Sequence, residues 1–171
     1  RRVNLLTKTE QFDDAAWTKT NVTVTPNATT ARDGTLTADK LVEASATGLH
    51  FVRQDIAVIA GDYSIVFEAK AAERSIVWAT IDGGSNIRWF DLVNGTTGGD
   101  GGYTAAIRPL TDGWYLCTCT ATRAAGTAPC FIGVSDTTTI GNYAGDPSKG
   151  VFINCASFLP AADAHLPYQR V

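Results

Sequence analysis

The stretch Tyr63-Ser64-Ile65-Val66-Phe67-Glu68-Ala69-Lys70 decides the fold class. Tyr63, Ile65, Phe67 and Ala69 fall on one face and Ser64, Val66, Glu68 and Lys70 on the other, the period-two pattern of a half-buried strand. Gly61-Asp62 precedes it, and Ala72-Glu73-Arg74 follows as a connection of hairpin length. Residues 75–81 then alternate Val77, Ala79 and Ile81 with Ile76, Trp78 and Thr80. Asp82-Gly83-Gly84-Ser85 reads as a turn, because glycine reaches positive φ without steric cost. Residues 87–93 alternate Trp89 and Asp91 with Phe90 and Leu92, so the three segments read as a meander.

Working outward, further strands are expected over 22–25, 38–43, 49–56, 103–108, 114–122, 130–135 and 151–158, about ten in all. Pro26-Asn27, Asp33-Gly34, Gly98-Gly99-Asp100-Gly101-Gly102, Asp112-Gly113 and Gly141-Asn142 punctuate them at the spacing of a sandwich rather than of βαβ units. The expected fold is all-β, a two-sheet antiparallel β-sandwich, with a helical turn or two at most, over Glu10 to Trp17. Composition agrees: 24 Ala, 23 Thr and 16 Gly stand against 4 Glu, 5 Lys and no Met, a mix rich in strand and turn formers. Residues 1–171 read as one unit, long enough to enclose a core, and the lack of an initial Met suggests a longer parent chain. No apolar stretch approaches the roughly 20 residues of a membrane span, and Arg1-Arg2-Val3-Asn4 is no signal peptide. A net charge of −3 with scattered Arg and Lys argues against nucleic acid as a partner.

A series of short tags runs the length of the chain. Asn4-Leu5-Leu6-Thr7, Glu10-Gln11-Phe12-Asp13, Ala16-Trp17, Asp33-Gly34, Ala38-Asp39-Lys40-Leu41, Gly61-Asp62-Tyr63 and Ala69-Lys70 come first. Phe90-Asp91-Leu92 with Gly95, Gly113-Trp114-Tyr115 and Pro167-Tyr168 follow. In this order the tags resemble the jelly-roll, carbohydrate-binding-module-like domains of bacteriophage tail fibres, tailspikes and head fibres. The resemblance implies a jelly roll on the virion surface, assembled in the bacterial host cytoplasm, facing a host glycan and trimeric in the particle. The chain departs from it at Leu116, where a basic residue commonly follows Gly-Trp-Tyr, and at Ser157-Phe158-Leu159-Pro160, where an acidic residue commonly follows the last strand.

Saccharide sites pair flat aromatic faces with short polar side chains. If Val77, Ala79, Ile81, Phe90 and Leu92 face the core, alternation puts Trp78 and Trp89 on the opposite face with Glu68, Lys70, Thr80 and Asp91. Those six are the candidate sugar-binding residues, although the same face could instead be buried against protein. Trp17 and Trp114 read as core or corner residues. Cys117 and Cys119 point to one face of one strand and are poorly placed to bridge each other. With Cys130 and Cys155 they read as buried free thiols, in preference to a disulfide or a zinc site. His50 and His165 have no nucleophile pattern beside them and read as structural. Glu68 facing Asp91 is the one arrangement that could cleave a glycoside. Asp13, Asp14, Asp33 and Asp39 could hold a structural Ca²⁺ without any fixed loop motif, and no cofactor is otherwise expected. Gly98 to Gly102 precedes a strand rather than a helix, so it reads as a flexible loop and not a phosphate cradle.

The function expected on these grounds is a non-enzymatic virion module attaching to host cell-surface polysaccharide. The rival is a capsid-decoration or fibre-spacing module that binds other virion proteins.

Overall fold

The computed structural model describes residues 4–99 and 101–171. Asp100 of the glycine-rich run, and the Arg1-Arg2-Val3 start, lie outside the described residues. Among the described residues the β-branched and aromatic alternation resolves into fourteen strands: β1 (Thr18–Thr20), β2 (Val22–Thr29), β3 (Ala38–Glu43), β4 (Thr47–Gly48), β5 (His50–Val58), β6 (Gly61–Ala71), β7 (Ile76–Thr80), β8 (Arg88–Asp91), β9 (Thr96–Gly99), β10 (Thr104–Pro109), β11 (Trp114–Arg123), β12 (Gly126–Ser135), β13 (Tyr143–Ala144) and β14 (Gly150–Pro160). Two antiparallel six-stranded sheets result, in the orders β1-β5-β12-β7-β8-β9 and β10-β11-β6-β14-β3-β2, with β4 and β13 as a small ribbon. This is the expected all-β sandwich, with short strands beyond the ten read from the sequence. Residues 8–17 form successive turns, Gln11 N–H to Lys8 O, Asp14 N–H to Gln11 O and Trp17 N–H to Asp14 O, rather than a helix. No helix is long and apolar enough to cross a membrane among the described residues.

Period two correctly picks the inner faces. Ile65, Phe67 and Ala69 of one sheet pack in a single core with Val77, Ala79, Ile81 and Phe90 of the other, joined by Phe12, Trp17 and Phe158. The meander is the error. β6 pairs with β11 and β14, and never with β7, whereas β7 pairs with β8 and β12. Residues 72–75 are therefore a corner between sheets rather than a hairpin turn. Length alone does not separate the two, because a short connection serves either purpose; the choice falls to what the corner residues bind. The Ala72 N–H donates to the Arg74 carbonyl and the Arg74 N–H to the Gly150 carbonyl of β14. The Arg74 guanidinium then forks onto Glu43 of β3, Nε to Oε1 at 2.6 Å and Nη2 to Oε2 at 3.0 Å. The Tyr143 hydroxyl and the Asp146 N–H also donate to Glu43, at 2.6 and 2.8 Å, and the Tyr143 ring lies 4.4 Å from that of His50 on β5.

The lateral edges are closed by similar corners. Asn21, at φ +52°, turns β1 into β2, and its side-chain amide donates to the Leu49 carbonyl. At the other edge Arg88 donates from Nη1 to the Gly99 carbonyl and from Nη2 to those of Gly101 and Tyr103. The Gly99 and Gly101 carbonyls of the glycine-rich run are thus pinned rather than free as in the flexible loop expected, and Gly99 cannot carry a side chain, since a Cβ there would stand 2.3 Å from the Ile87 carbonyl oxygen.

The segments around Asn4 to Thr9 and Gln169 to Val171 meet on β14, whose pairing with β6 shifts register between Asn154 and Ser157. Cys155 occupies this bulge at φ +51°. The Leu5 N–H donates to the Phe158 carbonyl and the Ala156 N–H to that of Thr9. Asn4 accepts from the Phe158 N–H and donates to the Ala156 and Gln169 carbonyls, while the Thr9 N–H reaches the Val171 carbonyl.

The core gives rise to two tests. Burial favours the neutral Glu43 carboxyl, but the Arg74 fork and the Tyr143 and Asp146 donors outweigh it and hold the group below its ordinary value. Glu43 thus contributes stability that is complete above the unfolded carboxyl pKa of about 4.3 and is lost as pH falls through the lower folded value. Glu43→Gln should cost about 3 kcal/mol at neutral pH, leaving Arg74 with a weakened partner, and should flatten the acid limb of a melting-temperature profile. As for the thiols, Cys117, Cys119 and Cys130 are buried and unbridged, and Cys155 is partly buried. Desolvation by burial pushes Cys117 up and takes Cys119 to about 12, so native thiol titration should label at most Cys155, and denaturation should expose all four.

Candidate functional site

The six residues read as one sugar platform are divided between the two sheets. Trp78 and Trp89 do oppose each other in register on β7 and β8, on the face turned away from the core. Trp78 is nevertheless fully buried. It packs with Phe51 and Phe131, under Leu49, Ile87 and Ile140, in a second apolar layer outside the sandwich. The Phe51 and Phe131 rings stack at 4.2 Å, and the Trp78 Nε1–H donates to the Val134 carbonyl at 3.2 Å. The indole lies across Gly133 of β12, where a Cβ would come within 2.1 Å of it. The expected exposure of Trp78 is corrected on this ground: alternation assigns a side, while Leu49, Ile87 and Ile140, brought in from other segments, decide whether that side is wet.

Trp89 packs against the same layer and lies over Gly98 of β9, where a Cβ would stand 2.6 Å from Cζ2. It remains partly exposed and borders an open hollow of about 510 Å³ with Asn86, Ile87, Thr138, Thr139 and Ile140. Asp82 shapes its rim, accepting from the Ser85 N–H and the Asn86 amide at 3.1 and 2.5 Å. Thr80 is fully buried and its hydroxyl is engaged by Asp82 and the Ser85 carbonyl. Asp91 accepts from the Val93 and Asn94 N–H groups and the Asn94 amide; burial raises its carboxyl, these donors outweigh it, and it sits below its ordinary value. Thr80 and Asp91 therefore hold turns.

Glu68 and Lys70 belong to β6 and so to the outer face of the other sheet. Lys70 is partly buried, opposite Trp114 and Phe152 in register. Glu68 is 4% exposed and is bound by Arg32. Leu116, where the resembling domains commonly carry a basic residue, stands directly opposite Glu68, so its cation arrives from the β2–β3 loop instead. Glu68 and Asp91 lie on different sheets and cannot act as a carboxylate pair. A hollow of about 510 Å³ covers Glu68, walled by Leu116 and Cys155 and roofed by residues 163–169. Sequence reading missed Arg32, Asn86, Thr138 and Thr139, since each comes from a loop with no periodicity to place it.

The remaining candidates have local duties. The Phe12 and Asn27 N–H groups donate to Asp39 at 2.8 and 2.9 Å, and burial raises its carboxyl. Asp14 accepts from the Ala16 N–H, Asp33 from Thr35, and the Asp13 carbonyl from Lys19. Among the described residues no three His, Cys, Asp or Glu side chains gather closely enough to hold a metal ion. Trp17 lies in the main core and Trp114 in a small outer cluster with Ala31 and Ala38, both buried as expected.

No protein-family model and no curated protein sequence matches the chain. Among solved structures, it is similar to the enzymatically active domain of tailspike protein 4 of bacteriophage CBA120, at a TM-score of 0.52 and 16% identity over 91% of this chain. The match covers 21% of that domain, so the chain spans about a fifth of its length. The fold is therefore shared with part of a phage tailspike. This overturns the expectation of a non-enzyme, because the protein in which the fold recurs carries an enzymatically active domain.

Trp78 offers the sharpest test of this geometry. Trp78→Ala should cost about 3–5 kcal/mol by leaving a cavity between Phe51 and Gly133, seen as a large drop in denaturation midpoint; an unchanged midpoint would return Trp78 to the surface.

Proposed function

We propose that the chain is a virion-surface module of a phage tailspike or fibre, of jelly-roll, carbohydrate-binding-module type, that holds host polysaccharide for a glycan-cleaving assembly. The observation that carries the reading is Trp89, partly exposed in a hollow whose other polar side chains, Asn86, Thr138 and Thr139, are short and uncharged. An indole covers the apolar face of a pyranose, and small hydroxyls and amides meet its rim. The tailspike likeness supports the location and the association with an enzyme. A trimer belongs to the same proposal, since three weak sites on one particle gain roughly 10²- to 10⁴-fold in avidity.

A single hollow of this kind should bind with a Kd near the millimolar range, about −4 kcal/mol. Trp89→Ala should remove on the order of 1–3 kcal/mol of apolar contact, enough to abolish detectable binding by the isolated chain, with a much smaller stability loss than Trp78→Ala. The measurement is saturation-transfer NMR against bacterial surface polysaccharides first selected on a glycan array. Binding that survives Trp89→Ala would empty the hollow of this role, and an array with no hits would favour the fibre-spacing module.

A further inference from the structure

The chain buries two glutamates in ion pairs with arginine, and it treats them differently. Glu43 has donors on both oxygens, Arg74 and Tyr143 on Oε1 and Arg74 and Asp146 on Oε2. Glu68 is almost as buried, yet Arg32 places both of its contacts on a single oxygen, Nε to Oε1 at 2.9 Å and Nη2 to Oε1 at 2.7 Å. Glu68 Oε2 and Arg32 Nη1 have no protein partner among the described residues; Glu68 Oε2 is not sealed from solvent, and the Arg32 side chain is 39% exposed. Both residues line the hollow between the outer face of the β6 sheet and residues 163–169. An anionic acceptor and a cationic donor are thus presented side by side at the floor of the groove.

We propose that this groove binds a neutral saccharide through two adjacent hydroxyls, one donating to Glu68 Oε2 and the other accepting from Arg32 Nη1. Each sugar hydroxyl is both donor and acceptor, so a vicinal diol satisfies the pair at once, and hydrogen bonds to charged groups are the stronger ones. Arg108 and Asp163 line the hollow with Arg32 and Glu68, so its ionised side chains balance and call for no net charge on the ligand. Leu116, Leu166 and Pro167 supply apolar wall for the ring, and about 510 Å³ lies within the usual range of small-ligand sites. The site is on the opposite sheet from Trp89 and shares with that reading only the class of ligand.

The test is an amide-resolved NMR titration of the chain with the methyl glycosides of mannose, galactose and glucose, each to about 100 mM, the range suited to a millimolar site. Tetrahydropyran-2-methanol, a similar ring without the diol, is the control. Saturable shifts are expected at Leu116, Ser157 and Gln169 with at least one glycoside and not with the control. Glu68→Gln should weaken that glycoside by roughly tenfold or more, as loss of a charged hydrogen bond does. Arg32→Met, at a side chain 39% exposed, should do the same and remains decisive even if Glu68→Gln unfolds. Trp89→Ala should leave these shifts intact. Absence of groove shifts with all three glycosides, equal binding of the control, or unchanged affinity in Arg32→Met would overturn the site. Shifts confined to the surroundings of Trp89 would overturn it while leaving the Trp89 reading in place.

Discussion

Arg74 stands where the chain leaves one sheet for the other, and the architecture depends on what it binds there. Its backbone N–H donates to Gly150 on β14 and its guanidinium to Glu43 on β3, so the corner is fastened to the sheet that β6 belongs to while β7 is released toward the opposite one. Tyr143 and His50 extend the contact to β13 and β5. A buried carboxylate is tolerable only when its lone pairs are met. Glu43 meets that condition only if strands β3 and β14, residues 72–75 and the segment around residue 143 assemble together. That requirement makes the corner a cooperative junction rather than a passive link.

The tags that carry the phage resemblance turn out to be joints of the same kind. Asn4 seats the N-terminal segment on β14, and the Tyr168 hydroxyl is paired with that of Thr9. Asp39 fixes the Phe12 turn, and Asp91 with Gly95 fixes the one after β8. Trp17 fills the core under that N-terminal segment, its Nε1–H donating to the Lys8 carbonyl. Residues of this kind identify a scaffold and leave its ligand undetermined, because binding chemistry resides in loops positioned by the scaffold. The same division runs through the comparison with the tailspike domain, which shares the fold at 16% identity.

Each sheet also carries a partial cover on its outer face, and the candidate sites lie where the cover stops. Ile140, with Leu49 and Ile87, covers the Trp78 cluster while Trp89 stays partly open; residues 163–169 arch over Glu68 and leave a groove. One opening presents an aromatic surface with small neutral polar groups, the other a charged donor and acceptor over apolar walls. A long polysaccharide offers both kinds of surface, ring faces and hydroxyl edges.

Local alternation determined much from the residues alone: that the chain is all-β, that Tyr63, Ile65, Phe67, Val77, Ala79 and Phe90 face inward, that Trp78 and Trp89 share the opposite side of their sheet, and that Cys117 and Cys119 point into the core. These follow from a period of two and need no knowledge of which strands are neighbours. Neighbours were decided only in three dimensions. Whether residues 72–75 fold back or cross over depended on Glu43 and Gly150, 31 and 76 positions from Arg74. That choice separated Glu68 and Lys70 from the tryptophans. Exposure of Trp78 depended on Ile140, and the partner of Glu68 on a loop arginine. Periodicity reports the side on which a residue stands; what covers that side is a long-range packing outcome that no window of neighbouring residues contains.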